Sequence, residues 1–129
     1  MTVPSKTKYK LEYLINTSPK ILYPRLSSSS GLSEWFADDV SVNEKTYVFT
    51  WDGYSEEATV ISKKLNEHIK FQKTEDKGTD YYFEFRIVID PLTNDLALNI
   101  IDFEEEDELE EAKQLWDSQV QDLIRTIGG

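Results

Sequence analysis

The sequence predicts an α+β fold in which an antiparallel sheet packs against a long C-terminal helix. Three observations predict it. A strand-like segment over residues 8–16 is followed at once by helix-start chemistry at Ser18-Pro19. Residues 46–101 alternate apolar and polar side chains between turn signals spaced about every 8–12 residues. The C-terminal segment then switches period, placing Leu109, Ala112, Trp116, Val120, Leu123 and Ile127 three and four residues apart.

In the first segment Tyr9, Leu11, Tyr13 and Ile15 alternate with Lys8, Lys10, Glu12 and Leu14, the period of a half-buried strand. Ser18 can accept from free helix amides, and Pro19 suits the first helical position because it has no amide to leave unpaired. Ile21, Leu22 and Tyr23 give that helix an apolar face, and Pro24 keeps it short or kinked. Ser27 to Ser30 form a turn and cap cluster. Gly31-Leu32-Ser33-Glu34-Trp35-Phe36 reads as one or two helical turns ending in an aromatic pair, with Ala37-Asp38-Asp39 leading out.

Strands and turns come next. Tyr47, Phe49 and Trp51 alternate with Thr46, Val48 and Thr50, and Asp52-Gly53 supplies a hairpin turn. Residues 57–65 are β-rich through Thr59-Val60-Ile61. Asn66-Glu67 turns the chain into residues 68–72, and residues 75–78 form a second polar turn. Residues 81–89 are the clearest strand, with Tyr81, Phe83, Phe85, Ile87 and Ile89 on one face and Glu84 and Arg86 on the other. Residues 91–95 turn into a last strand over 96–101. The C-terminal helix, its stripe widened by Leu115 and Ile124, stops at Gly128-Gly129. That stripe needs a partner, and the aromatic face of the sheet is the one available.

Composition bounds the function. The 129 residues fit one domain, 1–129, with a core large enough to need no staples. The absence of Cys excludes disulfides, thiolate metal sites and thiol chemistry, and a single His leaves little for triads or multi-His metal sites. No catalytic residue, metal site or cofactor is expected. The formal net charge of −11 disfavours nucleic-acid partners and anionic membranes. No apolar run reaches membrane-spanning length, and the first residues lack the apolar core of a signal peptide. A soluble cytoplasmic protein is the expectation.

The order of elements is the helix-grip arrangement, a curved antiparallel sheet wrapped around a long C-terminal helix. The chain resembles the START-like (SRPBCC) superfamily. Within it, the chain is most similar to the branch of the activator of heat-shock chaperone ATPase and to small bacterial START-like proteins of unassigned function. The resemblance rests on Ile15 to Tyr23, where a strand meets a Pro-led short helix, on the Gly31 to Phe36 block, and on Phe49-Thr50-Trp51. The strand pair of residues 58–61 and 69–71 and the helix bearing Trp116 and Leu123 complete it. It implies a small hydrophobic or lipid-like ligand held between sheet and C-terminal helix, or else a protein partner, as for a chaperone cofactor. Cyclase-type enzymes also occur in the superfamily, but none of their catalytic groups carries over.

The candidate ligand-cavity residues are Trp35, Phe36, Tyr47, Phe49, Trp51, Tyr81, Phe83, Phe85 and Trp116. Such rings fill ordinary cores or line apolar cavities, and both readings stand at this point. The resemblance places Trp35-Phe36 at the cavity lip. Residues 102–111 hold eight acids in ten positions, without which the formal net charge would be −3. They read as a solvated helix start, favoured by the helix dipole, with a basic partner or a loosely held divalent cation as the alternatives. Asp38-Asp39 follow the aromatic pair on a loop. They either present carboxylates near the cavity mouth or, as adjacent loop residues usually do, point apart into water. His68 reads as an exposed turn residue, and Glu84–Arg86 as a solvent-side ion pair, which turned inward would instead be the best polar contacts for a ligand head group.

Overall fold

The computed structural model describes residues 5–128. Strand β1 (Thr7–Leu14) leads into helix α1 (Pro19–Ser27) and the single-turn α2 (Ser29–Leu32). Strands β2 (Asp39–Asn43), β3 (Thr46–Trp51), β4 (Tyr54–Lys64), β5 (His68–Lys73), β6 (Phe83–Ile89) and β7 (Leu96–Glu104) come after them, and helix α3 (Leu109–Ile127) ends the chain. One seven-stranded sheet holds all the strands in the order β1-β7-β6-β5-β4-β3-β2, and every pairing is antiparallel. It is a meander closed by the first strand returning beside the last.

The local chemistry accounts for the joints. The Ser18 side chain accepts from the Ile21 amide, and Pro19 takes the first helical position of α1. Pro24 sits inside that helix, which ends three residues later, where the Ser28 amide donates to the Pro24 carbonyl. Gly31 is required by space: a Cβ there would lie 2.2 Å from the Pro24 carbonyl oxygen. Trp51 and Tyr54 pair across Asp52-Gly53, and Gly53 turns the chain at φ +72°, a left-handed conformation that glycine adopts without steric cost. Gly128, at φ +81°, caps α3 by donating to the Ile124 carbonyl. Gly129, expected to share in that stop, lies outside the described residues.

The concave face carries Tyr9, Tyr47, Phe49, Ala58, Val60, Ile69, Phe71, Phe83, Phe85, Ile87, Leu98 and Ile100. Trp116, Val120 and Leu123 of α3 complete one continuous core with them. Leu22, Tyr23, Leu26 and Leu32 of α1 and α2 are buried in the same core.

Several expectations change. Strand β2, at Asp39–Asn43, adds an element before the strand read from the sequence at residues 46–51. It is an edge strand with only Val40 buried, so it leaves a weak alternation. Ile61 is the extra residue of a bulge between Val60 and Ser62 and stands half-exposed. Leu115, placed on the apolar stripe, is 60% exposed. Strand β6 starts at Phe83, not Tyr81. Tyr81 instead packs on Phe103, and its hydroxyl accepts from the Lys6 amide at 3.0 Å. His68 is no exposed turn residue: it opens β5 between two neighbours, its side chain 13% exposed and Nε2 2.9 Å from the Ser62 hydroxyl. Glu84 and Arg86 do pair, at 2.7 Å on the outer face, yet Glu84 is only 3% exposed. Its strand is central, and Arg86 and Lys70 cover the carboxylate.

Candidate functional site

Along each central strand the inward-facing series changes character toward one end of the sheet. On β4 it runs Val60, Ala58, Glu56, Tyr54; on β5, Ile69, Phe71, Lys73; on β7, Leu98, Ile100, Asp102, Glu104. On β3 and β6 it stays aromatic, ending at Trp51 and Phe83. Antiparallel pairing brings these ends together, and there the concave face opens into a cleft of about 500 Å³. Phe36, Trp51, Phe83 and Trp116 supply its aromatic surfaces. Glu56, Lys73, Asp102 and Glu104 stand on the sheet side, and Glu108, Glu111, Ala112, Leu115 and Gln119 on the helix side.

The rings are fixed from behind. Phe36 stacks on Trp116, centroids 5.7 Å apart, and meets Trp51 edge-on at 5.5 Å. The Phe36 carbonyl accepts from the Trp51 indole at 2.8 Å and from the Gln119 amide at 2.9 Å, tying the chain after α2 to both β3 and α3. Tyr54 stacks on Trp51 and donates to Glu56.

Asp102 joins sheet to helix. Its Oδ2 accepts from the Tyr9 hydroxyl at 3.1 Å and the Trp116 indole at 3.3 Å, and its Oδ1 accepts from the Phe103 amide at 2.8 Å. The indole also donates to the Tyr9 hydroxyl at 3.0 Å. Burial raises the Asp102 pKa above the usual carboxylate range, against the opposing help of the Phe103 amide, Lys73, Tyr9 and Trp116. Tyr9 is pushed well up, by burial first and by the Asp102 charge next. For Lys73 burial works against the ammonium, but Glu56, Asp102, Glu75 and Asp76 together outweigh it and raise its pKa. Its Nζ lies 3.5 Å from Glu56. At the mouth, the hydrogen bond that protonated Glu108 donates to Glu104, together with the charges of Glu104 and Glu105, raises the Glu108 pKa.

The structure divides the nine candidate rings. Phe36, Trp51, Phe83 and Trp116 meet at the cleft. Tyr47, Phe49 and Phe85 are packed into the closed part of the core. Trp35, expected at the lip, is 5% exposed, packs on Phe85, and donates its indole N–H to the Arg25 carbonyl at 2.7 Å. Tyr81 lies outside the concave face, against Phe103. Asp38 and Asp39 are exposed and do not line the cleft.

The acidic run is not one solvated helix start. Asp102 and Glu104 belong to β7, residues 106–108 form a 3₁₀ turn, and only Glu110 and Glu111 lie in the first turn of α3. Asp102 is turned inward by the alternation that buries Leu98 and Ile100. The same count from Phe71 finds Lys73, and from Ala58 finds Glu56. Among the described residues no group of His, Asp and Glu is arranged to hold a metal ion, and no helix is long and apolar enough to cross a membrane.

A curved sheet gripping a C-terminal helix, with a cleft between them, defines a helix-grip domain. The sequence model of the START-like superfamily domain matches residues 3–129, and the chain belongs to that superfamily. It is similar to the solution structure of BfR322 from Bacteroides fragilis, at 40% identity over 95% of this chain and 91% of that one, with a TM-score of 0.66. It also resembles the Aha1 dimer from Colwellia psychrerythraea, at 16% identity over 94% of this chain and 96% of that one, with a TM-score of 0.77. A Bacillus cereus protein, XoxI, shares the fold at 12% identity over 95% of each chain, with a TM-score of 0.72. No curated protein matches the chain.

Proposed function

We propose that this START-like domain is a non-catalytic binding module that holds a small hydrophobic, lipid-like molecule between the open end of the sheet and α3. One observation carries the reading: a cleft of about 500 Å³ whose aromatic surfaces are held in place by hydrogen bonds behind them. Ligand pockets span about 300–1,000 Å³ and combine apolar walls with a few fixed polar groups. The polar groups deepest in the wall are already engaged with one another, Asp102 with Tyr9 and Trp116, and Lys73 with Glu56. That arrangement supports holding a ligand rather than transforming it. His68, the one imidazole, is bonded to Ser62 away from the cleft. The likeness to the Aha1 dimer, at 16% identity, carries the fold and gives no support to a chaperone partner.

Native mass spectrometry of the protein purified from its own host tests the proposal. The expected result is a co-purifying small apolar mass that disappears in Ala112→Phe, which fills the cleft from α3. A protein carrying no such mass, or carrying it equally in the Ala112→Phe variant, overturns it.

A further inference from the structure

The cleft has a charge as well as a shape, and the charge selects among apolar ligands. Among the described residues five carboxylates line it, from Glu56, Asp102, Glu104, Glu108 and Glu111, against the single ammonium of Lys73. Their situations differ. Glu56 faces Lys73 and accepts from Tyr54, and Asp102 is held by Tyr9, Trp116 and its neighbouring amide. Glu104, Glu108 and Glu111 have no cationic partner among the described residues, and Glu104 accepts from the next amide in the chain. These three stand at the mouth, and their crowding shows in the raised pKa of Glu108.

Acids before a helix would by themselves be an ordinary solvated start. Here they rim a cavity walled by indole and phenyl rings, and a ring face attracts cations just as a carboxylate does. An anionic amphiphile such as a fatty acid would bring a sixth carboxylate into this rim. Lys73 cannot offset that, because Glu56 and Asp102 already claim it. Resting on the reading of the cleft as a ligand site, we infer that its ligand is a basic amphiphile. An aromatic or aliphatic body lies on Trp51, Phe36 and Trp116, and a protonated amine points to Glu104, Glu108 and Glu111.

Three probes of nearly equal shape test this: 2-(2-naphthyl)ethylamine, 2-naphthaleneethanol and 2-naphthylacetate. Binding is read at pH 7 from the indole N–H signals of the ¹⁵N-labelled protein, titrated at low and at high salt. Trp51 and Trp116 report the cleft, and Trp35, buried away from it, is the internal control. The amine is expected to bind about tenfold more tightly than the alcohol, the scale of two or three screened charge pairs, with the carboxylate weakest. Salt, or the triple variant Glu104→Gln, Glu108→Gln, Glu111→Gln, brings the three together while the Trp35 signal stays in place. If the alcohol or the carboxylate binds as well as the amine, the basic-ligand inference is overturned and the cleft remains a ligand site. If none of the probes moves the Trp51 and Trp116 signals, the inference and the cleft reading fall together.

Discussion

The two ends of the concave face are built from the same kinds of residue and do different things. At the closed end Tyr47, Phe49, Phe71 and Phe85 meet at ring separations of 5–6 Å, under Trp35 and the short helices. At the open end Trp51, Phe83 and Trp116 keep one side toward the cleft, and the strands that flank them finish in Glu56, Lys73, Asp102 and Glu104. The rings do not make the difference; their next neighbours in the inward series do. Where the next inward residue is apolar the face is closed, and where it is charged the face lines the cleft, even though Asp102 still bonds to Trp116 of α3.

The comparison is broken most forcefully by truncating one residue at each end. Phe85 is fully buried and touches the rings of Trp35, Phe36, Phe71, Phe83 and Trp116. Phe85→Ala is expected to cost about 3–5 kcal/mol in urea unfolding, the transfer of the ring plus the cavity it leaves. Leu115→Ala, at the exposed rim, is expected to stay within about 0.5 kcal/mol of the parent. Similar losses in the two variants would mean that the open end is core after all.

A smaller effect is expected from a single methyl at the hinge of the short helices. Gly31 lies against the Pro24 carbonyl and Arg25 Cα, backbone atoms that cannot swing aside as a side chain would. Gly31→Ala is expected to cost about 1–3 kcal/mol by overpacking. Because Phe36 lies on the same short segment, the Trp51 indole signal should shift as its acceptor, the Phe36 carbonyl, moves. An unshifted Trp51 signal in a destabilised Gly31→Ala protein would separate the hinge from the cleft.

How far the sequence reveals this molecule obeys the same division. The closed end is legible because apolar alternation is the signal that burial imposes: Tyr47-Phe49, Phe83-Phe85 and the α3 stripe other than Leu115 read correctly. Ser18-Pro19 and Asp52-Gly53 read correctly because capping and hairpin turns are local chemistry. The open end is obscured because its decisive residues are charged, and a charge in an alternating series reads as solvent-facing. Asp102 is hidden further by seven acids within the next nine residues. Counting in twos from Ile100 would have placed it inside, but only with the knowledge that β7 runs on to Glu104. Tyr81 fails for the opposite reason: it continues the β6 alternation perfectly, yet the strand starts two residues later. Strand ends are decided by pairing partners, which a single chain does not display.

Asp102 sits where the two ends meet, so its titration sharpens the comparison, with the smallest effect of the three. Burial raises its pKa in the folded protein above that of the unfolded chain, about 3.9. The folded state therefore holds the proton more tightly. The stability this contributes is fully present below about pH 3.9 and is lost as pH rises through the folded value. Asp102→Asn cannot ionise and keeps an oxygen to accept from Tyr9 or Trp116. Its stability relative to the parent should improve steadily from pH 3 upward and level off once the parent's carboxyl has ionised. Urea unfolding of both proteins at matched pH and salt measures this, and the other acids, common to both, largely cancel in the difference. A flat difference would mean that Lys73 and the three hydrogen bonds fully offset burial. A difference that moved in the parent's favour would make the ionised carboxylate a net stabiliser, and the wall of the cleft would then be a salt-bridged surface rather than an extension of the core. Lys73→Gln separates these cases, since removing the ammonium takes away part of what holds the Asp102 pKa down and should carry the levelling point to higher pH.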